Sequence, residues 1–276
     1  FIARYRKEAT GSMDDQTLRA LDERLSYLRK LDDQKETVHN SITEQGAMTP
    51  EIAAALEKAK TLAEVEDIYR PYKPKRKTRA SIARARGLEP LAARLLEQRP
   101  EDEPALLARQ YITEEVPDTE AALAGARDIL AEGFSDSANL RATLRSLYNA
   151  TALVESKAAK KDTDSVYSGY YDYSEPAAKM AGHRILAVDR GEREGFLKVS
   201  VTVDAARAVR LLTERTVKND SPSAEQVRAA AEDAYVRLIH PSLEREVRAG
   251  LTERACEGAI SVFSKNLRQL LLQPPI

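Results

Sequence analysis

Seven aliphatic residues, Leu18, Leu21, Leu25, Leu28, Leu31, Val38 and Ile42, recur at intervals of three, four or seven. That spacing lines up one face of an α-helix. No proline or glycine interrupts the run from Asp14 to about Gln45. The pattern therefore predicts one helix roughly 45 Å long at 1.5 Å per residue, about the width of a small domain. Such an element serves as a strut or packing spine in a helical fold. Ser12, with Asp15 three residues on, reads as its cap, and Gly46 as its stop.

The same punctuation continues along the chain. Thr49-Pro50 opens a second helix, and Thr61 with Glu64 opens a third that ends before Pro71. Two prolines make Pro71 to Lys77 extended. Thr78 then caps a short helix over Ser81 to Arg86, Gly87 turns the chain, and Leu88 to Leu96 forms a second short helix. Further helices are predicted at Pro104–Ile112, Thr119–Ala131 and Asp136–Lys160, with Gly133-Phe134-Ser135 as a break between the last two. Ser174 reads as the cap of another short helix. The strand signal lies in His183 to Val188 and Phe196 to Val203, joined by the charged turn Asp189 to Arg193 into a hairpin. Helices follow from Asp204 to Thr216, from Ser221-Pro222 to Ile239, and from Pro241-Ser242 to about Leu272. The fold class is mainly α: a multi-helix array with a helix-turn-helix-like pair and one small β-hairpin, strands making up under a tenth. Two domains are expected, 1–112 and 113–276.

A third of the residues are charged, yet Leu, Ala, Ile and Val are spaced for burial, so the chain is not of a disordered type. One cysteine, Cys256, allows no internal disulfide, which fits the reducing cytoplasm. Among small residues on the last helix, it is expected to be a buried thiol. No apolar run is long enough for a membrane span, and no signal peptide opens the chain. The start at Phe1 and the end at Pro274-Pro275-Ile276 read as cuts through a longer protein.

Phosphate-loop, dinucleotide, nucleophile-elbow and metal-ligand spacings are all missing. His39, His183 and His240 are far apart and read as surface or packing imidazoles. A non-catalytic chain without cofactor or metal is the expectation.

Charge is more informative. Arg70, Lys73, Lys75, Arg76, Lys77, Arg79, Arg84 and Arg86 give eight cations with no acid between Tyr69 and Arg86, although the whole chain carries a net charge of −1. Clustered cations repel unless a polyanion neutralises them, so phosphate contact is one use for the run. Tyr69 and Tyr72 are interleaved with it and could stack on bases or pack the loop down. The plainer alternative pairs the cations with acids such as Glu64, Glu66 or Asp67. Ser81 to Leu91 has the rhythm of a helix-turn-helix. Glu89, Pro90 and Ala92-Ala93 stand where base-reading donors would be wanted, so a structural helix pair is expected. The tyrosines of Tyr167 to Tyr173 could stack on bases, but Asp164, Asp172 and Glu175 repel phosphate, which favours a role wedging helices against the hairpin.

Phe1 to Gly11, Tyr72-Lys73-Pro74-Lys75-Arg76-Lys77-Thr78, Tyr171-Asp172-Tyr173-Ser174 and Gly182-His183-Arg184 together resemble the bacterial transcription accessory family Tex. The resemblance is ordered and runs through most of the chain. It implies roles in transcription and in binding nucleic acid, RNA or DNA, through a larger protein. It also implies RNase H-like, helix-hairpin-helix and S1 domains, none of which is visible in this sequence. The expected role is a helical scaffold supporting nucleic-acid binding. The alternative is an interaction module that docks on transcription machinery. A hydrolase would need carboxylates beyond Ile276.

Overall fold

In the computed structural model the described residues are 5–73, 77–159 and 165–273. They form two compact units, one drawn from Phe1–Lys75 with Asp136–Ala138 and the other from Arg76–Ser135 with Asn139–Ile276.

In the first unit, α1 (Asp15–Glu44) carries the leucine stripe. Its cap is Asp14, whose Oδ1 accepts the Thr17 amide at 2.7 Å. Ser12 was the expected cap, but at φ +68° it belongs to the turn leading into the helix. α2 (Pro50–Lys58) and α3 (Leu62–Tyr69) start as their sequence signals indicate, with Thr49 and Thr61 hydroxyls accepting the amides of Ile52 and Glu64. Leu31, Val38 and Ile42 of α1 meet Leu56, Ala59 and Val65 in a small core. Only the second half of the α1 stripe is used, and Leu21, Leu25 and Leu28 remain exposed. Beyond α3, Arg70–Tyr72 make a 3-10 turn, so Pro71 and Tyr72 depart from the expected extended chain, while Lys73 is extended. Pro71 is compatible with the turn because a first turn leaves its backbone N–H groups unbonded anyway.

The second unit contains α4 (Arg79–Ala85), α5 (Glu89–Glu97), α6 (Pro104–Ala108) and, apart from their adjoining end residues, α7 (Thr119–Asp136) and α8 (Ala138–Thr151). Gly133 does not break α7, and the following Phe134 and Ser135 are buried in its last turn. The helix expected to reach Lys160 ends at Thr151, and the chain enters β1 (Leu153–Ala158); 160–164 lie outside the described residues. β2 (Asp172–Pro176) and β3 (Leu197–Thr202) flank β1 on either side, both antiparallel. Ser174 is thus a strand residue, paired with Glu155, and caps no helix.

The expected hairpin is corrected in the same way. β3 is a strand, but its partner is β1, and His183 to Val188 belong to α9 (Gly182–Arg193). α9 buries Ile185, Val188 and Gly191, three residues apart, while Arg190 and Arg193 complement the dipole of its last turn. Gly191 is required by packing, since a Cβ there would lie 2.6 Å from Leu197 Cδ1.

α10 (Ala205–Thr216) is capped by Asp204, and α11 (Ala224–Asp233) runs through a π-helical turn, Ala234–Ile239, into α12 (His240–Leu271). The buried face of the sheet, including Val154, Val199 and Val201, joins the helices in one continuous core. Tyr167 is buried in it with its ring centroid 5.6 Å from that of Phe196, so this end of the tyrosine cluster wedges helix against sheet.

Candidate nucleic-acid interface

The α4–α5 pair is fixed at three points, one at the start of α4 and two at the turn that follows it. Thr78 and Ser81 form a reciprocal capping box, the Thr78 hydroxyl accepting the Ser81 amide at 3.0 Å and the Ser81 hydroxyl accepting the Thr78 amide at 2.8 Å. Gly87 adopts φ +75°, a conformation that side chains strain. Leu88 is then fully buried, its Cδ1 only 2.4 Å from where a Cβ on Gly125 of α7 would stand. With Ala80, Ala83, Leu91 and Leu95 also buried, the pair is a rigid platform.

The exposed face of α5 presents Glu89, Pro90, Ala93 and Glu97. Arg94 on the same helix is engaged, donating to Asp102 at 2.7 Å. Carboxylates on that face disfavour approach to a phosphate-lined groove.

The cations differ sharply in what surrounds them. Lys77 and Arg79 are exposed and make no hydrogen bond or ion pair among the described residues. Arg86, at the end of α4, stands 3.6 Å from the well-exposed Glu115. A surface pair of this kind contributes about 0–1 kcal/mol and yields readily to a stronger anion. Arg84 is instead committed: its Nη1 donates at 2.6 Å to Glu132, a carboxylate 10% exposed that also accepts the Thr78 hydroxyl at 3.0 Å.

Arg70 and Lys73 belong to the first unit. Lys73 Nζ donates to Glu66 at 2.8 Å, and Arg70, 28% exposed, lies 4.0 Å from the buried Asp67. Glu66 and Asp67 are two of the acids named above as alternative partners for this run. Tyr69 and Tyr72 pack on the small core, the Tyr69 hydroxyl 3.0 Å from that of Ser41. Lys75 and Arg76 lie outside the described residues.

Sequence reasoning missed Glu132 and Glu115, which are distant in sequence. A signal for Glu132 existed: an acid set among Ile129, Leu130 and Phe134 in an otherwise apolar part of α7.

Cys256 is exposed on α12, which overturns its assignment as a buried thiol. His39 and His183 are exposed, and His240 Nδ1 lies 2.5 Å from the Tyr148 hydroxyl, itself 3.3 Å from that of Tyr235. Burial pushes the Tyr148 phenol well above its ordinary range. Among the described residues no group of three or more His, Cys, Asp or Glu is placed to hold a metal ion, and no helix is long and apolar enough to cross a membrane.

Residues 99–263, more than half of the chain, match the Tex central region-like family, and residues 1–43 match the Tex-like protein N-terminal domain. The chain belongs to the Tex family. Over its whole length this Tex chain is 45% identical to the protein YdcI of Bacillus subtilis and 42% identical to the transcriptional accessory protein Tex of Neisseria gonorrhoeae, covering 39% and 37% of those proteins. It is also 31% identical to the human S1 RNA-binding domain-containing protein 1, of which it covers 29%. The chain therefore spans less than two fifths of these relatives.

Proposed function

We propose that this Tex segment is a non-catalytic helical scaffold within a longer transcription accessory protein of the cytoplasm, and that it adds phosphate contacts to nucleic-acid binding by the whole. The observation that carries the reading is the contrast along residues 77–86. Lys77, Arg79 and Arg86 are exposed and have at most weak surface partners, Asp128 acting on Arg79 through space and Glu115 standing 3.6 Å from Arg86, while Arg84 is ion-paired with the mostly buried Glu132. Exposed cations can release counterions from a phosphate backbone without reading sequence. Lys73, held by an exposed glutamate, and the neighbouring Lys75 and Arg76 extend the same cationic run. The acidic exposed face of α5 supports a structural helix pair over a base-reading one. That the human relative is named for an RNA-binding S1 domain supports a division of labour in which tight binding resides elsewhere in the longer protein.

The test is the affinity of the longer protein for generic RNA, single-stranded DNA and duplex DNA, with Lys73, Lys77 and Arg79 unchanged or all replaced by Glu. Affinity is expected to fall by more than about tenfold near physiological salt, with the melting temperature held. Unchanged affinity would redirect the reading to an acidic protein partner of the transcription machinery.

A further inference from the structure

α12 changes character at Cys256. Its first half is integrated: Leu243, Leu251 and Ala255 are buried, Arg248 is ion-paired with Glu192, and the Thr252 hydroxyl donates to Asp189 at 2.6 Å. From Cys256 to the end of the helix every residue is exposed. That second half extends about 24 Å at 1.5 Å per residue. A helical stretch this short, with Gly258 inside it, is marginal in water without packing on its apolar face.

The apolar face is extensive. Ile260, Phe263, Leu267 and Leu270 are spaced by three, four and three residues, and Ile260, Phe263 and Leu270 are each more than 60% exposed. This is the seam pattern that one helix presents to another. It leads into a groove of ≈ 690 Å³ between α9 and α12, bounded by His183, Leu186, Ala259, Val262 and Phe263. Gly182 and Ala255 also line it, and a Cβ on Gly182 would stand in ordinary contact, 3.4 Å from the Ala255 Cα. Contiguous exposed apolar surface rimmed by polar residues marks an interaction site.

We propose that this seam and groove are the docking site for an amphipathic helix from the C-terminal remainder of the longer Tex protein, bound within the same chain. Two observations select that occupant. The relatives carry more than half of their length outside the matched region, and the match of residues 1–43 to an N-terminal domain and of 99–263 to a central region places most of that remainder on the C-terminal side. The seam also straddles residue 263, where the central-region match ends, and a segment of the same chain joined by a short flexible linker would meet it at an effective concentration on the order of millimolar.

Amide hydrogen exchange across 256–272, compared between the 276-residue chain and a longer protein carrying the same sequence, tests this without nucleic acid. The segment should exchange nearly freely in the 276-residue chain and about 100-fold more slowly in the longer protein. Phe263→Glu with Leu270→Glu should abolish that slowing and leave the melting temperature of the 276-residue chain unchanged, whereas Phe263→Leu should retain the slowing. Equal exchange in the two proteins overturns the proposal, as does slowing that survives the double Glu variant. Concentration-dependent slowing in the 276-residue chain overturns it in favour of a second copy. None of these outcomes bears on Lys77 or Arg79, so failure here is distinct from failure of the phosphate-contact reading.

Discussion

Arg84 and Lys77 come from one run of cations, yet the fold treats them in opposite ways. Arg84 reaches inward to Glu132 on α7, and Lys77 stays in solvent with no partner among the described residues. A charge count over this run cannot separate the two, because the separation depends on an acid 48 residues from Arg84. On the proposed reading, local charge density marks where a polyanion would dock, and pairing decides which side chains remain free to meet it.

The largest expected effect concerns the platform that imposes this difference. Leu88→Ala should lower stability by about 2–5 kcal/mol, because Leu88 is fully buried against Gly125 and the cavity cannot collapse freely. Chemical denaturation measures it, and a loss under about 1 kcal/mol would mean that α4 and α5 are not rigidly seated. Glu132→Gln comes next, with an expected loss of about 1–3 kcal/mol from weakening the charge-assisted bond to Arg84 in a mostly buried setting. If this variant were as stable as the parent, Arg84 would be no more committed than Lys77.

A smaller effect is expected from acid. Hydrogen bonds from Tyr173 and then Arg184 hold the Glu175 carboxyl below its ordinary value of 4.5. A depressed folded-state value gives stability that is present above the unfolded value and lost as pH falls through the folded one. Melting temperature should thus decline below about pH 4.5 in the parent and less steeply in Glu175→Gln. Parallel declines would remove Glu175 from the set of committed charges. The smallest effect is on the free cations themselves: Lys77→Gln with Arg79→Gln should change stability by no more than about 0.5 kcal/mol.

Helices with strong local signals were legible from sequence. The α1 stripe, the Thr49, Thr61 and Asp204 caps, and the turn at Gly87 all act within a few residues. Elements defined by distant partners were not. β1 places Ser156 inward, where its hydroxyl donates to the Tyr170 carbonyl at 2.8 Å, so it lacks the all-apolar alternation that marks β3. β2 alternates half-buried and exposed residues, and its tyrosines and acids mask the pattern. α9 carries Ile185 and Val188 in a stretch of strand-like composition, and the close seat of Gly191 on β3 belongs to its helical form. The site was legible as a basic run. Its division into free and committed cations was not, since Glu132 and Glu115 are brought to it by tertiary structure.

The central claim is that Lys77 and Arg79, and not Arg84, meet phosphate. The most direct test is the slope of log affinity against log salt for the longer Tex protein on generic nucleic acid, measured where each variant remains folded. Each lost phosphate contact lowers the slope by about one unit, so Lys77→Gln with Arg79→Gln should lower it by about two, and Arg84→Gln should leave it unchanged. A slope that falls with Arg84→Gln and holds with the double variant would contradict the account.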